Sequence, residues 1–532
     1  MKQPCDEAVI RTGDWSRPCR AESSPWILAA TILGSSMAFI DGTVVNVALP
    51  ALQSSLNATL VDVQWVVESY GLFLSALILV GGALGDSVGR RLVFLLGTGL
   101  FAFASIGCAL SSNVLQLIIA RSMQGIGAAA LVPGSLAIIS ASFDEQSRGK
   151  AIGTWSGFTA ITTALGPVIG GWLIEHASWH WIFLINVPIA AAVILISLYH
   201  VPESSNSSAK RIDWWGALLA TVSLAGLVCG LLEAGRLGWS HPFVLGSLIG
   251  GFATLILFVL VKRRVDAPMM PLALFKSRAF TGANLLTLLL YAALGTFFFF
   301  VPLNFIQIQG YSATATGTAV LPLILLMFLL SRWSGGLAGR YGSRTPLIVG
   351  PLIAALGFFL FAASSVKGNY WTTFFPAFVV LGLGMAVSVA PLTTVVMDSV
   401  DDKRVGTASG INNAVARAAG VLAIAILGNL MVHSFGSNLE RSISSLGLPE
   451  GAKHEIHRDI VKLGDLPLPT GLDNATTATI HSDIVHAFVY GFRLIMIICG
   501  CLAIASAAVA MTLIPAKDAQ VGHTETPAQF AH

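Results

Sequence analysis

The fold of this chain is decided by residues 279–331, which read AFTGANLLTLLLYAALGTFFFFVPLNFIQIQGYSATATGTAVLPLILLMFLLS. The stretch contains no Asp, Glu, Lys or Arg. A helix crosses the hydrocarbon core of a bilayer with about 20 apolar residues, so this stretch is long enough for two crossings. We interpret it as two membrane helices joined by a short polar turn.

The rest of the chain has the same apolar character. Hydrophobic residues make up 55% of its 532 residues and charged residues 11%, whereas soluble globular domains are about 25% charged. Dividing the sequence at charges and at Gly and Pro clusters predicts an all-α membrane protein with about fourteen spans. The predicted spans are residues 26–48, 64–84, 92–111, 114–138, 148–174, 181–200, 213–232, 243–261, 280–303, 317–338, 345–364, 371–396, 407–432 and 485–514.

The loops between these spans differ in charge from one side of the membrane to the other. Loops on one side, here called the basic side, contain most of the Lys and Arg residues, for example Arg263 and Arg264. The short loops on the opposite side contain only Arg236 and Lys367. Because positively charged loops are retained in the cytoplasm, we expect both termini to be cytoplasmic and the protein to lie in the inner (cytoplasmic) membrane.

Several function classes are disfavoured by what the sequence lacks. It has no GxxxxGK[ST] pattern for ATP phosphates and no nucleophile, acid and base with site-like spacing, so we expect no enzyme activity and no catalytic residues. The net charge of +3 gives no reason to expect nucleic acid. His454 and His457 are spaced to share a helix face, but spacing fixes no third ligand. We therefore predict no metal and no cofactor.

Three ionisable residues lie at comparable depth inside the predicted spans: Asp41, Glu68 and Arg121. Such a residue costs at least about 2.5 to 3.5 kcal/mol in the membrane and tends to face a polar pathway. From a rise of 1.5 Å per residue, Asp41 lies roughly 22 Å along the first helix and Arg121 roughly 10 Å along the fourth. We expect the three side chains to meet in one helix bundle.

A carboxylate beside a guanidinium at this depth can bind and release protons, and Arg121 can exchange one partner for another. We therefore predict proton coupling through Asp41, Glu68 and Arg121, with the main carrier, Asp41 or Glu68, left open. The alternative is a static salt bridge that holds helices together. Arg417, in the middle of span 13, either lines the pathway or bridges helices.

Residues 82–91, GALGDSVGRR, follow span 2. Their Gly82, Asp86, Gly89, Arg90 and Arg91 resemble the signature loop of the major facilitator superfamily. Glycines permit a tight turn, a carboxylate can face a helix N-terminus, and arginines can bind anionic headgroups. By this resemblance Asp86 would meet the start of span 13 near residue 406 and hold one gating state.

Two further motifs resemble that family. Residues 121–128, RSMQGIGA, are similar to its span 4 motif, which is linked to proton coupling. Gly153 and then Gly166, Pro167, Gly170 and Gly171 in span 5 resemble its antiporter motif. A proline and several glycines in one helix favour a bend and close packing against neighbours, which would seal the bundle against proton leak.

Residues 41–50, DGTVVNVALP, and 64–67, QWVV, resemble the fourteen-helix drug:proton antiporter branch of the same superfamily. The resemblance implies two six-helix halves with two extra helices between them, outside the transport pathway. The expected divisions are a cytoplasmic tail 1–25, a first half 26–200, the extra helices 201–265, a second half 266–514 with an external loop 433–484, and a cytoplasmic tail 515–532.

The sequence therefore predicts a proton-coupled antiporter that exports small hydrophobic compounds across the lipid bilayer. We expect a monomer, with a periplasmic adaptor as a partner in a double-membrane bacterium. Asn46, Trp65, Gln124 and Arg417 are the predicted substrate-pathway residues. A proton-coupled importer with the same fold and a non-transporting membrane sensor are the alternatives. The sequence does not determine the identity or charge of the substrate.

Overall fold

The computed structural model describes residues 23–143, 145–205, 213–265, 270–364, 366, 368–400, 405–446, 448–469 and 472–516. Within these ranges fourteen helices are long and apolar enough to cross a membrane, which confirms the predicted number. They are α1 (Ser24–Leu56), α2 (Leu60–Val88), α3 (Arg90–Ala109), α4 (Val114–Ser142), α5 (Ala151–His176), α6 (Trp181–His200), α7 (Trp214–Leu237), α8 (Pro242–Lys262), α9 (Arg278–Ile308), α10 (Ala313–Leu330), α11 (Arg344–Ala362), α12 (Tyr370–Asp398), α13 (Thr407–Ile443) and α14 (Asn474–Leu513).

Several helices run past their predicted ends because polar residues continue the helix outside the apolar core. The turn between α1 and α2 shows how such ends are fixed. Asn57 stops α1 in a left-handed conformation with φ 49°, which Asn tolerates better than most residues. Thr59 then starts α2 with a capping box, in which its hydroxyl accepts from the Asp62 amide at 3.2 Å and the Asp62 carboxylate accepts from the Thr59 amide at 2.8 Å.

The helices pack as two groups. Helices α1 to α6 contact one another, with α4 packed between α2 and α3, and helices α9 to α14 form a second set in which α14 contacts α9, α11 and α13. The groups meet mainly along two seams, α5 against α10 and α2 against α13. The second group has an aromatic core in which the buried Phe297 contacts the rings of Phe361 and Phe378 edge to face, with centroids 4.9 and 6.0 Å away.

Helix α7 covers the seam between α2 and α13 and packs on α8. Hydrogen bonds from polar side chains join α2, α7 and α13. Gln64 of α2 donates to the Ile424 carbonyl of α13 at 2.9 Å, and Asn429 of α13 donates to the Leu231 carbonyl of α7. One of the two extra helices is therefore attached to both groups.

On the side opposite the basic loops, polar contacts join the two groups. Gln307 of α9 donates to the Gln53 side chain of α1 at 2.9 Å. Lys462, in the segment between α13 and α14, donates to the Asn57 side chain at 3.0 Å. This segment contains a short helix, Glu450–Asp459, and a 3₁₀ turn, Ile460–Asp465, which contacts α1, α2, α13 and α14. These contacts connect the two groups on the opposite side.

Candidate functional site

Asp41 of α1 and Arg121 of α4 form a buried ion pair in the first helix group. Their side chains are 0% and 1% exposed, and the pair joins Nη1 of the arginine to Oδ2 of the aspartate. Arg121 also donates from Nη1 to the Gln124 side-chain oxygen at 2.8 Å and from Nε to the Val66 carbonyl of α2 at 3.2 Å. The structure therefore brings together two of the three ionisable residues that the sequence places at similar depth.

Amide and hydroxyl groups complete the surroundings of Asp41. Gln124 donates from Nε2 to Asp41 Oδ1 at 3.2 Å and to the Ser105 hydroxyl of α3 at 2.7 Å. Asn186 of α6 donates from Nδ2 to the same Asp41 oxygen at 3.3 Å. We call Asp41, Ser105, Arg121, Gln124 and Asn186 the Asp41 network. All five side chains are buried, and they come from four helices.

The sequence analysis missed Ser105 and Asn186. Both are neutral polar residues in otherwise apolar stretches, and the depth calculation considered charged residues only. Asn186 sits near the start of α6, on the same side of the membrane as the start of α4, so the same calculation applied to amides would have identified it.

The guanidinium of Arg121 also rests on an aromatic ring. Its central carbon lies 4.3 Å from the ring centroid of Tyr70, and the Tyr70 hydroxyl donates to the Ala38 carbonyl at 3.0 Å. A desolvated cation over a ring gains about 2 kcal/mol. Removing one partner of a buried ion pair costs about 3 to 5 kcal/mol, so Asp41, Arg121 and Tyr70 hold α1, α2 and α4 in a defined arrangement.

Glu68 is not part of this network. Its side chain is fully buried, and within the described residues neither carboxylate oxygen has a hydrogen-bond partner. Gln64, one turn before it on α2, bonds to α13, and a Cβ at Gly71, nearly one turn after it, would crowd Val421 of α13. Glu68 therefore lies at the seam between α2 and α13. An ionised carboxylate without donors is very costly in such surroundings, so this arrangement favours the neutral acid.

The four predicted pathway residues lie in different places. Gln124 belongs to the Asp41 network. Asn46 is half-buried on α1 and donates to the Gly42 carbonyl at 3.4 Å. Arg417 of α13 is half-buried, with its guanidinium carbon 5.9 Å from the ring centroid of Phe39 on α1, so it lies between the two helix groups.

Trp65 is the exception among them. Its indole nitrogen donates to the Glu233 carboxylate of α7 at 3.2 Å, and its ring packs with buried apolar residues of α2, α7 and α13. Trp65 therefore faces α7 and α13 rather than the Asp41 network, and its part in a substrate pathway stays a prediction.

In the turn between α2 and α3, Asp86 accepts a hydrogen bond from Arg90 Nε at 2.9 Å. Gly89 has φ 140°, a backbone conformation that L side chains rarely adopt. The N-terminus of α3 is capped from elsewhere: the Glu203 carboxylate, after α6, accepts from the amides of Arg91 and Leu92, both at 3.0 Å. Glu203, rather than Asp86, therefore provides the negative charge at this helix end.

Glu203 gives no signal in the sequence, because the residue is distant in the chain and lies in a loop. The Arg91 guanidinium donates to the Val201 carbonyl at 3.0 Å, so both arginines of the turn are held by protein groups.

At Gly82 a Cβ would make only ordinary contact with Pro133, whereas at Gly81 it would overlap a carbonyl of α4. The expected partner of Asp86 near residue 406 borders residues 401–404, which lie outside the described ranges.

The motif residues of α5 lie between α1 and α10. A Cβ at Gly166 or Gly170 would overlap side chains of α1, and a Cβ at Gly171 would overlap a backbone carbonyl of α10. The carbonyl of Pro167 lies against a glycine of α10. These positions allow the helices to approach closely. Gly153 has open space around its Cβ position and does not share this role.

Metal ligands do not converge in the part of the chain that the structure describes, where no three His, Cys, Asp or Glu residues are grouped to hold an ion. On the helix Glu450–Asp459, His457 Nδ1 lies 2.9 Å from the Glu440 carboxylate at the end of α13. This contact connects that helix to α13.

Comparison with known proteins agrees with this architecture. The family model of the Major Facilitator Superfamily matches residues 31–214 and 208–424. The chain is 34% identical to the multidrug resistance protein Stp of Mycobacterium tuberculosis strain H37Rv, over 82% of this chain and 80% of that protein. It is 32% identical to the tetracenomycin C resistance and export protein of Streptomyces glaucescens, over 94% of each chain. A bacterial homologue of the human lysosomal transporter Spinster shares the fold, with a TM-score of 0.63 and 16% identity over 92% of this chain and 98% of that chain.

Proposed function

The chain belongs to the Major Facilitator Superfamily, within the branch that holds drug-resistance transporters, and we propose that it is a proton-driven exporter of small hydrophobic compounds. In this proposal the basic side faces the cytoplasm, and the protein exchanges protons for substrate across the inner membrane by alternating access. The observation that carries the proposal is the Asp41 network, a carboxylate and a guanidinium buried together with further polar partners for each.

The network supports proton exchange because Arg121 has partners other than Asp41. When Asp41 is ionised, it pairs with the guanidinium. When Asp41 takes up a proton, the attraction is lost, but Arg121 retains the Gln124 side-chain oxygen and the Val66 carbonyl. The cation is therefore not left without partners in an apolar environment, which would be strongly unfavourable. Protonation can weaken the contact between α1 and α4 at a moderate cost.

Asn186 is suited to both protonation states of Asp41. Its Nδ2 donates to the carboxylate, while its own Oδ1 is buried without a partner in the described part of the chain. A side-chain amide that rotates by half a turn exchanges donor for acceptor. Rotation would present Oδ1 to the hydroxyl of a protonated Asp41, so the same residue would hydrogen-bond the acid before and after proton uptake.

The arrangement of the two helix groups supports alternating access. The opposite side is bridged by the contacts Gln53 to Gln307 and Asn57 to Lys462. The glycines of α5 hold that helix tightly between α1 and α10. We propose that the two groups rock about these seams, so that the polar bridges on the opposite side break when the protein opens outward.

The proton gradient is large enough for this work. One proton crossing about 100 mV and one pH unit supplies roughly 3.7 kcal/mol, which supports a gradient of roughly 500-fold for a neutral substrate. The names of the relatives, multidrug resistance for one and tetracenomycin C export for another, favour a hydrophobic drug or natural product. The proposed unit is a monomer, and in a double-membrane bacterium a periplasmic adaptor would receive the substrate.

The test is efflux of ethidium from energised cells that express the chain, measured with and without a protonophore. We expect export that stops when the proton gradient is collapsed, and no export from cells carrying the empty vector. Export that persists with the protonophore would contradict proton coupling. Accumulation instead of efflux would favour an importer. Labelling of a Glu455→Cys variant by an impermeant thiol reagent in intact cells tests the orientation, because this exposed residue of the helix Glu450–Asp459 would lie outside.

A further inference from the structure

A cavity of about 410 Å³ lies on the basic side of the second helix group, where α9 and α11 begin and α14 ends. Two arginines line it, Arg278 at the first position of α9 and Arg344 at the first position of α11. The end of α14 and the two residues after it, together residues 511–515, form the opposite wall. The proposed proton pathway does not use this cavity, because the Asp41 network lies in the first group.

Within the described residues, neither Arg278 nor Arg344 forms an ion pair with a carboxylate. Arg344 donates from Nη2 to the Met511 carbonyl at the end of α14, and this bond fixes the position of the guanidinium. Its Nε is buried and has no hydrogen-bond partner in the described part of the chain. Arg278 is exposed. The cavity is therefore lined by two guanidinium groups without a carboxylate partner in that part of the chain, and the Met511 carbonyl holds one of them in place.

Guanidinium groups bind phosphate oxygens in a forked geometry that an ammonium cannot reproduce. The N-termini of α9 and α11 add partial positive charge at the same place. The other wall is largely apolar: Leu513, Ile514 and Pro515 line it, and Met511 is 56% exposed. Two cations beside an apolar surface suit an amphipathic anion better than a small soluble one.

The position along the membrane indicates which anion this is. Arg278 and Arg344 are the first residues of membrane helices, at the level where a bilayer places its headgroup phosphates, and basic pockets between helices on the cytoplasmic side bind anionic headgroups. We propose that this cavity binds the phosphate of an anionic lipid between Arg278 and Arg344, with the acyl chains along the end of α14. The lipid would connect α9, α11 and α14 at their cytoplasmic ends.

The experiment is native mass spectrometry of the purified full chain in detergent, titrated with phosphatidylglycerol. Loss of one arginine near a phosphate corresponds to about fivefold weaker binding, so Arg278→Gln with Arg344→Gln should weaken it about 25-fold. The matched control is Arg263→Gln with Arg264→Gln, which removes the same charge from an exposed loop on the same side. We expect this control to bind phosphatidylglycerol as the wild type does.

Further measurements keep the proposal falsifiable. Arg278→Gln alone leaves the bond between Arg344 and Met511 in place, so it should fold normally and lose about fivefold. Equal weakening in the two double variants would overturn the site in favour of general attraction to the basic side. Equal affinity for phosphatidylcholine would overturn selection of an anion. Displacement of the lipid by glycerol phosphate at comparable concentration would overturn the lipid and assign the site to a soluble phosphate.

Discussion

Asp41 and Glu68 are two acids on neighbouring helices, both 0% exposed, and the protein accommodates them in opposite ways. Asp41 accepts from Arg121, Gln124 and Asn186, whereas Glu68 has no partner within the described residues. A buried acid is tolerated either as an ion with a matched cation or as a neutral group. Protonation of Asp41 removes an ion pair between two helices, whereas protonation of Glu68 removes no such contact.

The comparison suggests different roles for the two acids. We propose Asp41 as the main proton carrier, because its ionised form pairs with Arg121 across α1 and α4 and its protonated form would lose that attraction. Glu68 lies at the seam of α2 and α13, which the proposed rocking motion would open. Its ionised form would then be favoured only when water reaches that seam, so it would contribute a second and smaller step.

The largest expected effect follows from Asp41→Asn. Asparagine has the shape of the protonated acid and cannot ionise, so we expect gradient-driven ethidium efflux to be abolished while the protein still inserts and folds. Efflux driven by an imposed pH gradient in proteoliposomes measures this directly. Glu68→Gln, the same chemical change at the unpartnered acid, is the matched control. If the Asp41→Asn variant retained full coupled efflux, Asp41 would be excluded as an essential proton carrier.

Arg121→Lys should have the next largest effect. Arg121 reaches Asp41 and Gln124 from Nη1 and the Val66 carbonyl from Nε, and the single ammonium nitrogen of a lysine does not reproduce this spread of donors. A buried acceptor left without its donor costs about 1 to 3 kcal/mol. We expect strongly reduced efflux and a lower melting temperature of the purified protein. Arg236→Lys, at an exposed arginine on α7, controls for the substitution itself. Near-normal efflux would mean that only the positive charge matters.

Glu68→Gln should reduce efflux several-fold at most and leave the melting temperature nearly unchanged. The reason is that a glutamine replaces a neutral acid of almost the same shape, so no ion pair is broken. The melting curve and the number of protons released per substrate would be measured together. A melting temperature lowered as much as in Arg121→Lys would show that Glu68 is ionised and has a partner, which would remove the contrast with Asp41.

The number of helices and the contact between Asp41 and Arg121 could both be predicted from the sequence, and each has a physical reason. Membrane thickness fixes the length of an apolar span, and the helical rise converts a residue number into a depth. Depth alone does not give the direction in which a side chain points around its helix. For this reason the sequence placed Glu68 beside Arg121, although the structure turns it toward α13.

The remaining differences have several causes. A neutral polar residue costs less in a membrane helix than a charged one, so Ser105 and Asn186 give a weaker signal than Asp41 or Arg121. Glu203 was missed because a loop residue distant in sequence gives no periodic signal. Trp65 has the depth of a pathway residue, but it points toward α7, and no pattern along α2 distinguishes the two directions.

Trp65→Phe should have the smallest effect and tests this last point. Phenylalanine keeps an aromatic ring in this packing and loses the hydrogen bond to the Glu233 carboxylate of α7; a hydrogen bond to a charged group is worth about 1.5 to 3 kcal/mol. We expect a slightly lower melting temperature and an unchanged rate of efflux for each of several dyes. Gln124→Leu, within the Asp41 network, should by contrast impair efflux of every dye. A changed dye preference in Trp65→Phe would mean that the interface between α2 and α7 borders the substrate pathway, and that the extra helices take part in transport.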